Sequence, residues 1–379
     1  MTSAKLGDIA TYINGYAFKP KDRGTEGLPI IRIQDLTGNS YDLGFYNGEY
    51  PEKVEINNGD ILISWSASLG VYVWNRGKAL LNQHIFKVVF DKLDINKQYF
   101  VFAVRYNLKE MEKQTHGATM KHITKKDFDN ILIPFPDLRI QSKIAATLDK
   151  LQSIITHRRT QLEKLDLLVK ARFVEIFGDT EYNTKKFPVY KLSELCTVSS
   201  SKRIYQDEQS STGVPFLRIS NLVELIETGH LKNELFISDE KYIELVRSNL
   251  VPQKGDILVT SRGTLGKCYI VQDDDKFYFQ DGMISWLYNL NKAITPLYLA
   301  LLFNTRNIKA QIDNLQSGST VAYLSITMLK KLNIVVPPLT LQNQFADFVK
   351  QIDKSKSILQ QELDKAQMLF DSLMQEYFG

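Results

Sequence analysis

The chain repeats itself, and the repeat runs through almost all of its 379 residues. KLGDI at 5–9 returns as KLSEL at 191–195, and LPIIRIQDL at 28–36 returns as VPFLRISNL at 214–222, both 186 residues on. GDILISWSASLG at 59–70 returns as GDILVTSRGTLG at 255–266, 196 residues on. Three further blocks recur 201 residues on: HGATMKHIT (116–124) as SGSTVAYLS (317–325), PFPDLRIQSKIA (134–145) as VVPPLTLQNQFA (335–346), and EIFG (175–178) as EYFG (376–379). The order is the same in both copies and the offset grows in steps. Insertions therefore lie between blocks that stay fixed. This is the pattern of one scaffold built twice and carrying two different surfaces.

Each copy ends in a long helical segment. Positions 144, 148, 151, 155, 158, 162, 165, 169, 172 and 176 hold Ile, Leu, Leu, Ile, Arg, Leu, Leu, Val, Arg and Ile, the alternating four-and-three spacing of a coiled-coil seam. Shifted by 201, the seam from 345 to 377 holds Phe, Val, Ile, Lys, Leu, Leu, Ala, Phe, Leu and Tyr. Pro134 and Pro136 precede the first segment, Pro337 and Pro338 the second, and Gly178 and Gly379 close them. A 33-residue helix is ~50 Å long, more than a small domain is wide. The chain path predicts that the two helices pair antiparallel, one leading away from the first globular part and the other running back. Ile154, Leu168, Phe173, Phe177, Ile358 and Phe378 fall off the seam, so they are expected to form exposed apolar surface for partner docking.

The globular parts read as mixed α and β. VPFLRI and GDILVT are short strands bounded by Gly or Pro, with Gly59-Asp60 and Gly255-Asp256 as turns before them. Tyr99 to Met111 reads as a helix with Asn96 as its N-cap; its counterpart starts at Thr295-Pro296. Thr124 and Asp127 resemble a capping box with Asp in place of Glu. The expected fold class is α/β in the α+β sense: two tandem globular domains, two long antiparallel coiled-coil helices, and a pseudo-two-fold internal repeat. The expected divisions are domain one at 1–139, a central helix at 140–179, domain two at 180–340 and a C-terminal helix at 341–379.

Composition excludes several classes. Hydrophobic residues are 44% and charged residues 24%, an ordinary globular balance. No apolar run approaches the roughly 18 residues of a membrane span, and the N-terminus has no signal-peptide core, so a cytoplasmic protein is expected. Two cysteines, Cys196 and Cys268, cannot make a disulfide framework. The balance of 47 basic against 43 acidic residues, net +4, means that any DNA binding must rest on local placement or on a partner's charge.

Catalytic signatures are missing. GTLGK at 263–267 fails as a phosphate loop, because Ser261 stands where Gly is required and Cys268 follows the lysine; a tight turn is the simpler reading. His84, His116, His122, His157 and His230 show no metal-ligand spacing. Pro337-Pro338 lacks the flanking residues of an amino-methyltransferase motif, and no GxGxxG marks a dinucleotide loop. No catalytic residue, cofactor or metal is expected.

Taken together, the tandem GDIL strands, the GATMKHIT and GSTVAYLS blocks, the P-x-x-x-x-Q elements PDLRIQ (136–141) and PPLTLQ (337–342), and the long helix after each resemble the DNA-specificity subunits of type I restriction–modification systems. The resemblance covers essentially the whole chain. It implies that the globular parts are target-recognition domains for double-stranded DNA. It also implies that the helices are spacers that bind two modification (methyltransferase) subunits, with restriction subunits in the full complex. The chain would be a non-catalytic reader directing adenine-N6 methylation at a split, asymmetric site. The competing readings are a coiled-coil scaffold with two protein-binding domains and an enzyme acting alone on nucleic acid.

Residues that differ between the copies are the candidates for DNA contact, since two unlike readers recognise two unlike half-sites. In domain one they are Asn14, Tyr16, Lys19, Lys21, Arg23, Trp65, Ser66, Ser68, Thr115, His116, Thr119, Lys121 and His122. In domain two they are Ser201, Lys202, Arg203, Tyr205, Ser261, Arg262, Thr264, Lys267, Ser317, Ser319, Thr320 and Tyr323.

Overall fold

In a computed structural model of the chain, residues 2–39, 42–114, 123–231, 235–316 and 322–379 are described. The chain divides into two units: residues 1–161 with 359–379, and residues 162–358. The first unit therefore takes in a stretch of long helix, 359–379, that lies far away in sequence, while the second is continuous.

The first unit holds a four-stranded antiparallel sheet in the order Thr11–Asn14, Ile85–Val89, Ile61–Ser64, Gly70–Val73. The GDIL block forms the buried strand Ile61–Ser64, all four residues of which are inside. Gly59 supplies the left-handed turn before it (φ 91°), and the Asp60 carboxylate accepts the Asn57 N–H at 2.8 Å. A second sheet runs Phe45–Tyr46, Leu28–Ile31, Ala79–Leu81, Glu55–Ile56, with the middle pair parallel.

The second unit repeats this plan. Its antiparallel sheet is ordered Thr197–Ser200, Ile284–Tyr288, Ile257–Thr260, Cys268–Ile270. Its other sheet is built on the parallel pair Val214–Leu217 and Tyr278–Phe279, with Phe236–Ile237 antiparallel beside the first of these. The outermost strand differs. The first unit adds Glu55–Ile56 to the far side of the parallel pair, and the second adds Gln209–Ser210 to the near side. Where the offset between copies grows from 186 to 196, the second unit has the longer helices Ile219–Thr228 and Asp239–Arg247 in place of the short helical turns Ile33–Thr37 and Glu52–Val54.

Asn96 caps the helix Lys97–Gln114, accepting the Tyr99 N–H at 3.0 Å. Its counterpart starts as expected, with Thr295 accepting the Tyr298 N–H and Pro296 at the first position, but it breaks into Pro296–Leu302 and Arg306–Gln316. At the break the Leu302 carbonyl accepts both the Thr305 N–H at 2.9 Å and the Thr305 hydroxyl at 2.6 Å, in a tight turn in place of a continuing helical bond. Thr124 accepts the Asp127 N–H, but the Asp127 carboxylate meets the Thr124 hydroxyl instead of reaching back to the backbone, so only half of the expected capping box forms. The GTLGK segment is a strand-to-strand turn, with φ 65° at Gly263 and 75° at Gly266, and Lys267 pairs with Glu227.

The long helices span Leu138–Phe177 and Leu339–Phe378, 40 residues each. No seam position of either is exposed. The charged seam residues are all engaged: Arg158 pairs with Glu362 at 2.9 Å, Lys356 with Asp166, and Arg172 with Glu175 at 2.8 Å. Later residues of one helix meet earlier residues of the other, which is antiparallel pairing.

Three off-seam aromatics correct the expectation of exposed surface. Phe173 and Phe177 are buried among Tyr298 and Phe345 in the second unit, with centroid distances of 4.7–5.8 Å. Phe378 is buried against Tyr99 and Tyr106 in the first. The last turn of each helix sinks a second face into a domain core, where a fully buried Phe contributes about 1.5–3 kcal/mol. Ile154, Leu168 and Ile358 are exposed as expected.

The glutamine of the P-x-x-x-x-Q element explains why that element recurs. Gln141 is fully buried; its side-chain oxygen accepts the Asn96 N–H at 2.9 Å and its amide donates to the Pro136 carbonyl at 2.8 Å. Gln342 accepts the Thr295 N–H at 2.8 Å and donates to the carbonyls of Pro337 and Ala293. Each glutamine ties the start of a long helix to the start of a domain helix. Among the described residues, no helix is long and apolar enough to cross a membrane.

Candidate nucleic-acid interface

In the first unit, three segments converge at one end of the antiparallel sheet: the end of Thr11–Asn14, the turn after Ile61–Ser64, and the short loop 82–84 that enters Ile85–Val89. Trp65 stands at their centre. Its indole N–H donates to the Asn14 side-chain oxygen at 3.2 Å. Its ring stacks on Phe86 (5.5 Å, 22°) and meets the edge of His84 at 4.9 Å. Its backbone N–H donates to the His84 carbonyl, and its carbonyl accepts the Ile123 N–H at 3.0 Å. The backbone crossing at Gly15 is close: a Cβ there would lie 2.0 Å from the Asn82 carbonyl oxygen. Only glycine lets Tyr16 follow at that spacing, donating its N–H to Leu81 and accepting that of Gln83.

Asn14 and Trp65 are thus in contact, and Tyr16 is exposed beside them with its ring edge-on to Phe18. Ser66 is half-buried and Ser68 exposed on the same turn. Lys19 and Arg23 flank the short helical turn Pro20–Asp22, and Lys21 lies within it. Lys19 and Lys21 are exposed and form no ion pair with a described residue, whereas Arg23 pairs with Asp42 at 2.9 Å. Thr115, His116, Thr119, Lys121 and His122 lie outside the described residues.

The second unit uses the same frame with different chemistry. Ser261 occupies the place of Trp65: its N–H donates to Met283 and its carbonyl accepts the Leu324 N–H, repeating the first unit's contacts. Its hydroxyl is buried against Ser285 at 2.7 Å, so it braces the frame from inside. Arg262 next to it is exposed, with its guanidinium 5.1 Å from the Tyr323 ring centre. Thr264 is exposed on the turn, and Lys267 is held by Glu227. Ser201 is buried, Tyr205 is exposed, and the Lys202 N–H donates to the Tyr278 hydroxyl at 2.8 Å. Ser317, Ser319 and Thr320 lie outside the described residues.

Carboxylates hold Lys202, Arg203 and Lys267 among the second unit's candidate residues. Arg203 pairs with Asp281 at 3.0 Å, and Lys202 with Glu244 at 3.4 Å. Lys241 bridges Glu208 and Glu244; these contacts raise the Lys241 ammonium and hold both carboxyls below their ordinary range. A phosphate binding here must displace a carboxylate, which tempers nonspecific attraction and favours ligands that make additional contacts.

Sequence reasoning missed the loop Asn82, Gln83, His84 and the second unit's corresponding loop 280–283 with Asp281, because both lie between the repeated blocks. Among the described residues, no group of three or more His, Cys, Asp or Glu side chains is placed to hold a metal ion.

The family profile for the type I restriction modification DNA specificity domain matches twice, over residues 1–165 and 184–368. The chain is 25% identical to the type I restriction enzyme EcoBI specificity subunit of Escherichia coli, covering 98% of this chain and 83% of that one. It is also 25% identical to the MjaVIII specificity subunit of Methanocaldococcus jannaschii, covering 98% and 90%. Among solved structures, the type I restriction–modification S subunit from M. genitalium superposes with a TM-score of 0.61 at 15% identity, covering 100% of this chain and 96% of that one.

Proposed function

The chain belongs to the type I restriction modification DNA specificity family, and from that premise we propose that it is the non-catalytic DNA sequence-recognition subunit of a type I restriction–modification complex. Each globular domain reads one half of a bipartite, asymmetric DNA site. The two long helices set the spacing between the halves and dock two methyltransferase subunits, with restriction subunits joining the full complex. Methylation at adenine N6 is the reaction directed.

The observation that carries this reading is the repeated frame with unlike residues at equivalent places. Trp65 and Ser66 occupy in one unit the positions that Ser261 and Arg262 occupy in the other. A shared frame with different side chains at the same sheet end is what an asymmetric target demands. Phosphate contacts from residues such as Lys19 and Lys21 would position the duplex while the differing residues read base edges.

Domain exchange tests the modular part of this reading. Residues 1–139 are replaced by the equivalent segment of another family member, and the complex with its methyltransferase is given a randomised duplex library. One half-site changes and the other is retained. Change in both half-sites would overturn independent reading by two domains.

A further inference from the structure

Among the described residues of the first unit, positive φ at non-glycine residues occurs only at Ala67 and His84, beside Trp65. Among the described residues, six non-glycine residues have positive φ: Ala67, His84, Asn183, Lys186, Asn249 and Asn289. Three are asparagine, which tolerates that region. Two of the remaining three, Ala67 (φ 59°) and His84 (φ 71°), flank Trp65. In the second unit the equivalent turn has Gly263 (φ 65°) where the first has Ala67. The second unit's loop into its central strand, residues 280–283, likewise makes its left-handed turn at a glycine, Gly282 (φ 67°). The first unit's loop is one residue shorter and makes the turn at His84.

The same loop holds unsatisfied polar atoms. His84 Nδ1 and Asn82 Oδ1 are shielded from water and have no hydrogen-bond partner. Gln83 between them is exposed. The unpaired and shielded imidazole nitrogen is uncompensated in the free protein. The surroundings that hold it are firm. Trp65 is stacked on Phe86 and bonded to Asn14, and its edge fixes the imidazole.

We propose that His84 is a specificity-determining residue for the half-site read by the first unit, with Trp65 and Asn14 as its positioning residues and double-stranded DNA base edges as its ligand, resting on the DNA-recognition role given above. The exposed Gln83 carboxamide carries a donor and an acceptor for base edges, and the half-buried imidazole beside it adds a second polar group on a rigid ring. Loop 280–283 of the second unit, with Asp281 tied to Arg203, gives the other half-site a different set of groups at the same place.

The test uses the full chain in complex with its methyltransferase. His84→Gly and His84→Asn both suit a left-handed φ, so neither variant strains the fold. Two duplex libraries are offered, each with one half-site fixed and the other randomised, and melting temperature is recorded alongside. The expected result is an unchanged or higher melting temperature, roughly tenfold relaxed base preference in the first unit's half-site, and unaltered preference in the second's. Retention of the wild-type half-site by both variants would overturn the proposal, as would equal loss at both half-sites. A wild-type complex that selects no sequence from either library would instead overturn the DNA-recognition role itself.

Discussion

The glutamine of the P-x-x-x-x-Q element allows a stability prediction in which the two units should differ. Gln342 is almost fully buried and makes four hydrogen bonds: it accepts from the Thr295 N–H and hydroxyl and donates to the carbonyls of Pro337 and Ala293. Gln342→Leu removes them all with little change of volume. Ala293 is exposed, so water takes over its carbonyl, but the Pro337 carbonyl and the Thr295 N–H lose their partners in largely dry surroundings. Two orphaned groups at about 1–3 kcal/mol each, less a small apolar gain from leucine, leave a net loss of roughly 2–4 kcal/mol. For a folding unit of roughly 150–250 residues that lowers the melting temperature by about 5–10 °C. Gln141→Leu orphans the equivalent pair, the Asn96 N–H and the Pro136 carbonyl, but both residues are only half-buried, so water recovers part of the loss and the cost should be smaller than for Gln342→Leu. Calorimetric melting of both single variants measures this directly. A Gln342→Leu shift within about 1 °C of wild type, or a larger loss from Gln141→Leu, would refute the assignment of these glutamines as ties between the long helices and the domains.

Two further predictions concern buried titratable groups. Burial raises the Asp256 carboxyl, outweighing the Gln253 N–H and Trp286 Nε1 hydrogen bonds that lower it. A raised carboxylate binds its proton more tightly folded than unfolded, so its stabilising contribution is present at low pH and is lost as pH rises from about 4. Asp256→Asn should therefore gain in melting temperature relative to wild type between pH 4 and pH 7, and a constant difference across that range would contradict this. Burial also pushes the Cys196 thiol up to about 12 and raises that of Cys268. Neither should react with an aromatic disulfide reagent at pH 8 until the chain is denatured; fast labelling of the native protein would show one thiol to be open.

The repeat was legible because backbone constraints leave marks on sequence. Gly59 and Gly255 sit where φ is positive, and the two helical seams show as spacing. The Gln141 and Gln342 motif was visible as a repeat, but its capping role depends on Asn96 and Thr295, more than 40 residues away. Phe173, Phe177 and Phe378 misled because a heptad reading assigns a helix one apolar seam, and these ends bury a second face in a domain. At the interface, the sequence differences between copies marked Trp65, Asn14 and Arg262 but could not separate a buried brace such as Ser261 from an exposed neighbour. His84 left no trace, since a left-handed φ at a non-glycine residue and a one-residue difference in loop length are properties of the fold alone.

The central claim is that this chain gives a methyltransferase its DNA sequence. The most direct measurement is a modified-base sequencing map of DNA from cells expressing the chain with its neighbouring methyltransferase, compared with cells that lack the chain. Methyladenine at one bipartite, asymmetric motif, present only with the chain, is the predicted result and gives both half-sites at once. An unchanged map, with the methyltransferase shown to be active and assembled with the chain, would contradict it.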